Sequence, residues 1–114
     1  MEGAVELKEE LEGEILFLRI KGRLDAISSP AAEKKILDLI TNGQHHILLD
    51  FSEVDYLSSA GMRLLLRTSK KLKSVSGKLI VCAVSPNVMD VLRMSGFDHV
   101  IELAPSKEEA LRLF

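Results

Sequence analysis

Apolar and polar residues alternate in short runs along the chain, and the period of the pattern switches repeatedly between strand and helix. Val5 to Leu11 reads as a weak first strand, turned by Gly13. Glu14 to Lys21, Glu-Ile-Leu-Phe-Leu-Arg-Ile-Lys, is a better strand that pairs with the first as a hairpin, and Gly22 ends it. Ser29-Pro30 then supplies an N-cap and a first helical position, and Ala32, Ile36, Leu39 and Ile40 recur at helical spacing until Asn42-Gly43 stops the helix. His46 to Phe51 carries Ile47, Leu48 and Leu49 in succession, the pattern of a strand covered on both faces. A loop follows, and Met62, Leu65, Leu66, Ser69 and Leu72 mark one face of a second helix closed by Ser76-Gly77. Leu79 to Val84 is the most apolar strand. Ser85-Pro86 opens a third helix with Val88, Val91, Leu92 and Ser95 on one face, closed by Gly96. Val100 to Leu103 is a short last strand, and Ser106 with Glu109 forms a capping box for a final helix ending at Phe114.

The resulting order is β-β-α-β-α-β-α-β-α. An initial hairpin followed by strict alternation predicts an α/β fold with a mixed, mostly parallel sheet of about five strands and about four helices. One domain over 1–114 is the expected organisation, since 114 residues suit one hydrophobic core.

Composition narrows the function. Apolar residues make up 46% and charged residues 28%, a globular balance that needs no staples. Fifteen basic and seventeen acidic residues leave a net charge of −2, which argues against nucleic acid as the main partner. The single cysteine, Cys82, lies in the run from Leu79 to Val84 and reads as a small buried core residue. The N-terminus, Met1-Glu2-Gly3-Ala4-Val5-Glu6, lacks the basic and apolar regions of a signal peptide, and no apolar stretch approaches a membrane span. A cytoplasmic setting is expected.

The stretch from Asp50 to Met62 follows a central strand and opens a helix, where partner sites gather in α/β sheets. Ser58 suits the N-cap and Ser59 the first turn, where unpartnered N–H groups and the helix dipole favour an anion. A phosphate there is tolerated without unfolding. Ala60 and Gly61 are small enough for a partner's backbone to come close. Taken alone, two serines ahead of an apolar-periodic helix are ordinary capping.

Three segments resemble the STAS domain of bacterial anti-sigma factor antagonists, and the match runs over nearly the whole chain. Lys21-Gly22-Arg23-Leu24-Asp25 is similar to the family's Gly-x-Leu/Ile-Asp. Leu48 to Gly61 is similar to its Leu-Asp-Leu-Ser-x-Val-x-Phe-Met-Asp-Ser-Ser/Ala-Gly, and Ser95-Gly96-Phe97-Asp98 to its Gly-Leu/Phe-Asp. The resemblance implies a non-enzymatic switch in transcription regulation, free of cofactor. The unmodified protein binds an anti-sigma factor, a serine kinase of the histidine-kinase-like ATPase type, and so releases a sigma factor. The same kinase phosphorylates the serine two positions before the glycine, here Ser59, and a phosphatase resets it. Aspartate often precedes that serine in the family and Ser58 stands here, so Ser58 is the second choice. Asp25, Ser58, Ser59, Ala60, Gly61 and Met62 are the implied partner surface. Asp25 is equally readable as a loop carboxylate that fixes its turn. The alternative function is a STAS interaction module in a non-sigma signalling or lipid-transport assembly, without phosphorylation.

Other chemistries fit poorly. As a nucleophile, Ser58 or Ser59 would need His45, His46 or His99 as base, and these are expected at the far end of strands about 20 Å long. No Gly-x-Ser-x-Gly elbow or phosphate loop is present. His45 and His46 point to opposite faces and cannot readily share a metal with Cys82. Arg63, Arg67, Lys70, Lys71 and Lys73 on the second helix read as a solvated outer face, one that an acidic partner or an anionic lipid surface could also meet.

Overall fold

The computed structural model describes residues 5–114; Met1 to Ala4, part of the acidic N-terminal segment, lie outside the described residues. The elements are β1 (Glu6–Glu12), β2 (Ile15–Leu24), α1 (Ser29–Thr41), β3 (His46–Leu57), α2 (Ser59–Ser74), β4 (Lys78–Cys82), α3 (Pro86–Met94), a 3₁₀ turn (Phe97–His99), β5 (Glu102–Ala104) and α4 (Lys107–Leu111). One sheet runs in the order β1-β2-β3-β4-β5. β1 and β2 are antiparallel, and every later pair is parallel. This is the mixed α/β sheet the alternation predicts.

Three crossovers of one hand that all step the same way across a sheet must leave their helices on one face. Accordingly Ile47, Leu49 and Phe51 of β3 meet Ile36, Ile40, Leu64, Leu65, Leu72, Val88 and Leu92 of α1, α2 and α3. Leu48, Ile80 and Cys82 point the other way, towards Ala110 of α4, with Phe17 and Ala104. Covering on both faces is why the central strands read as unbroken apolar runs.

Two boundaries differ in a way that builds the site. Gly22 does not end β2. It takes φ +119 inside a strand that runs on to Leu24, a backbone conformation glycine adopts without a steric penalty. Ser52 to Leu57, expected as a loop, extends β3 to twelve residues. The parallel register slips between Arg19 and Lys21 and again between Gly22 and Arg23, so β3 spends Ile47 to Leu57 against Leu16 to Leu24 of β2. The extra residues are bulges. They leave Phe51, Val54 and Leu57 buried at every third position, not every second. Asp50 anchors this stretch: its buried carboxylate accepts from Ser52 N–H at 2.8 Å and pairs with Arg19 Nε at 3.0 Å. Burial works against its ionisation, but the Ser52 and Arg19 contacts outweigh it, and the carboxyl lies below its ordinary pKa.

Smaller shifts have local causes. α1 begins at Ser29 with Ser28 before it, and the Ser28 hydroxyl is spent on the carbonyl of Arg23 and the N–H of Asp25 instead of capping. β5 starts at Glu102 because the 3₁₀ turn takes up Phe97 to His99. α4 stops at Leu111, and only the Ser106 half of its capping box forms, accepting from Glu109 N–H at 3.2 Å.

Candidate functional site

The bulged end of β3 delivers the chain to α2 beside the end of β2. Ser58 N–H donates to the carbonyl of Leu24 at 2.9 Å, and the Ser58 hydroxyl donates to the same carbonyl at 2.9 Å. That hydroxyl also accepts from Gly61 N–H at 3.3 Å, and Met62 N–H is taken by the Ser58 carbonyl at 2.9 Å. Ser58 is therefore both the N-cap of α2 and its tie to β2.

Gly61 has an internal role, unlike the access for a partner's backbone inferred from its size. It is buried, and a Cβ there would stand 2.6 Å from Leu57 Cδ1 and 2.9 Å from the Leu24 carbonyl oxygen. Its missing side chain lets the first turn of α2 rest on the end of β2. Ala60 and Met62 are half-buried, with Met62 packed on the main core.

Ser59 is different. It is exposed at the first position of α2, and its hydroxyl makes no hydrogen bond among the described residues. Two adjacent serines thus divide the work: one holds the structure, the other faces solvent.

The turn from β2 to α1 borders this end. Asp25 Oδ1 accepts from Ser28 N–H at 2.9 Å and from Ile27 N–H at 3.0 Å. The Ser28 N–H is the main reason its carboxyl lies below its ordinary pKa. The carboxylate fixes its turn, and it is still partly open to solvent. That turn presents Ile27, which is 80% exposed. Arg23 stacks over the Tyr56 ring at 4.1 Å. Ile27 and Tyr56, absent from the sequence-based candidates, add apolar surface to this end of the sheet; an isolated isoleucine in a turn has no periodicity to reveal it.

The six candidate residues are therefore at the carboxyl ends of β2 and β3 or in the first turn of α2, while the histidines are not. His46 begins β3, the full twelve residues away, with its ring edge-on to Phe114 at 6.1 Å. His99 lies before β5, 3.8 Å from Asp98. No group of three His, Cys, Asp or Glu side chains suited to a metal occurs among the described residues. Cys82 is buried, and desolvation pushes its thiol up to about 11. No described helix is long and apolar enough to cross a membrane.

Residues 7–110 match the family described as the STAS domain. The chain belongs to the STAS-domain family. BtrV of Bordetella bronchiseptica, which is named as an anti-sigma factor antagonist, is 30% identical over 106 residues, covering 93% of this chain and 90% of its own. The crystal structure of an anti-sigma factor antagonist from Mycobacterium paratuberculosis superposes with a TM-score of 0.86 at 25% identity, over 96% of this chain and 92% of that one. The Bacillus cell fate determinant SpoIIAA in its phosphorylated form gives 0.71 at 27% identity, over 94% and 97%. The STAS assignment agrees with the motifs around Leu24-Asp25 and Ser58-Gly61.

Proposed function

We propose that this STAS domain is an anti-sigma factor antagonist: it binds an anti-sigma factor that is also a serine kinase, and phosphorylation of Ser59 ends the binding. The observation that carries this reading is the contrast between the adjacent serines. The Ser59 hydroxyl is exposed and uncommitted, whereas that of Ser58 is engaged with Leu24 and Gly61. The names of the relatives in the comparison supply the class of partner.

Phosphorylation adds about −1.5 to −2 charges at pH 7. A micromolar complex is held by about 8 kcal/mol. An unmatched charge forced into its interface costs about 2–5 kcal/mol, enough to weaken it by about thirty-fold to a few thousand-fold. Asp25, Ser58, Ala60 and Met62 border the docking surface, and Gly61 shapes it from beneath. A phosphatase returns the serine to its binding form.

The test is mass spectrometry of the chain after incubation with ATP and the kinase recovered with it from its native cell extract. One phosphate on Ser59 is expected. Ser59→Ala should stay unmodified and still bind, and Ser59→Asp should bind more weakly. Full modification of Ser59→Ala would overturn the assignment.

A further inference from the structure

Ser59 and Arg63 stand four residues apart on α2, one turn from each other on the same face. Side chains in a helix lean towards its N-terminus, so the long Arg63 side chain is directed over the turn that carries Ser59. Arg63 is exposed and makes no ion pair or side-chain hydrogen bond among the described residues. The other cations nearby are committed. Arg67, one turn further on, pairs with Glu33 at 3.4 Å. Arg23, at the end of β2, lies over Tyr56 and 4.0 Å from the Asp25 carboxylate. Lys21, on β2, pairs with Glu53 of β3 at 4.0 Å. The carboxylates of Asp25 and Asp55, on the same strand ends, repel a phosphate.

We propose that Arg63 is the internal receptor of a phosphate on Ser59, clamping it through the guanidinium fork while the open first turn of α2 supports it from below. The proposal rests on the reading of Ser59 as the modified residue and says how the modification acts. Unmodified, the chain offers a partner an uncommitted cation beside a neutral hydroxyl. Modified, it offers a dianion onto which Arg63, unpaired among the described residues, has been drawn. The charge pattern of the docking face reverses without any change in fold. Guanidinium suits this role because its planar fork matches phosphate oxygens in pairs.

The test installs phosphoserine at position 59 during translation, so that no kinase is needed, and follows its phosphorus NMR shift through the second ionisation. An adjacent guanidinium favours the dianion and lowers that pKa from its usual value of about 6. Arg63→Gln should raise it by about 0.4 units, and Arg63→Lys, which keeps the charge without the fork, should recover at least half of the difference. Lys70→Gln removes the same charge two turns beyond Arg63 and should leave the pKa where it was. Equal values for the parent and Arg63→Gln proteins, or the same rise in Lys70→Gln, would overturn the proposal. Kinase labelling of Ser59 is read separately: a clamped phosphoserine in a chain that no kinase modifies refutes the switch and not the clamp.

Discussion

Replacing Ser58 by alanine removes two hydrogen bonds at once: the one its hydroxyl donates to Leu24 and the one it accepts from Gly61. Loss of an N-cap costs about 1 kcal/mol, and the 3.3 Å reach to Gly61 places this cap in the weaker part of the range. Loss of the bond to Leu24 adds about 0.5–1 kcal/mol, at the low end because the Leu24 carbonyl keeps the Ser58 N–H at 2.9 Å. A total near 1.5 kcal/mol corresponds to a melting point about 6 °C lower for a chain of 114 residues. Ser59→Ala touches no protein hydrogen bond and should change stability by less than about 0.5 kcal/mol. Urea unfolding followed by circular dichroism compares the two, with unchanged slopes required before midpoints are read as stability. Equal losses in the two variants would refute the division of roles between the serines.

Gly61→Ala separates an internal from an external role for the glycine. In an open helix the change would stabilise by about 1 kcal/mol, whereas the contacts with Leu57 and the Leu24 carbonyl predict a net loss of about 1 kcal/mol in thermal or urea unfolding. The depressed pKa of Asp50 makes its stabilising effect pH-dependent: fully present above the unfolded carboxylate value of about 3.9, it is lost as pH falls through the lower folded value. The stability advantage of the parent over Asp50→Asn, measured by urea midpoints, should therefore hold from pH 7 to about pH 5 and shrink below about pH 4. Cys82, buried and with its thiol pushed up to about 11, should react with iodoacetamide only as fast as the chain opens, so labelling should rise in step with urea unfolding.

The order of elements and the starts of α2 and α3 were legible because their signals are local. Ser58 and Ser85 each lie ahead of an apolar-periodic stretch, and each accepts from the N–H three residues on. The end of β3 was not, since two bulges turn its burial from a two-residue to a three-residue repeat, and Ser52 to Leu57 then looks like a loop. Gly22 misled for a related reason: a glycine inside a bulged strand has the same sequence signature as one that terminates it. Of the site, the motif identified the segment, but the assignment of Ser58 to structure and Ser59 to solvent depends on the Leu24 carbonyl, 34 residues away. Ile27 and the Arg19–Asp50 pair also depend on which strands become neighbours, and no local pattern encodes that.

Calorimetric titration of the proposed partner, an anti-sigma factor kinase recovered from the native cell, with the chain carrying either serine or phosphoserine at position 59 tests the proposed switch most directly. A phosphate accommodated by the fold but not by the interface gives at least about thirty-fold weaker binding, with a melting point within about 2 °C of the unmodified chain. Equal affinity for the two forms, or a phosphorylated chain that loses binding only because it unfolds, would contradict it.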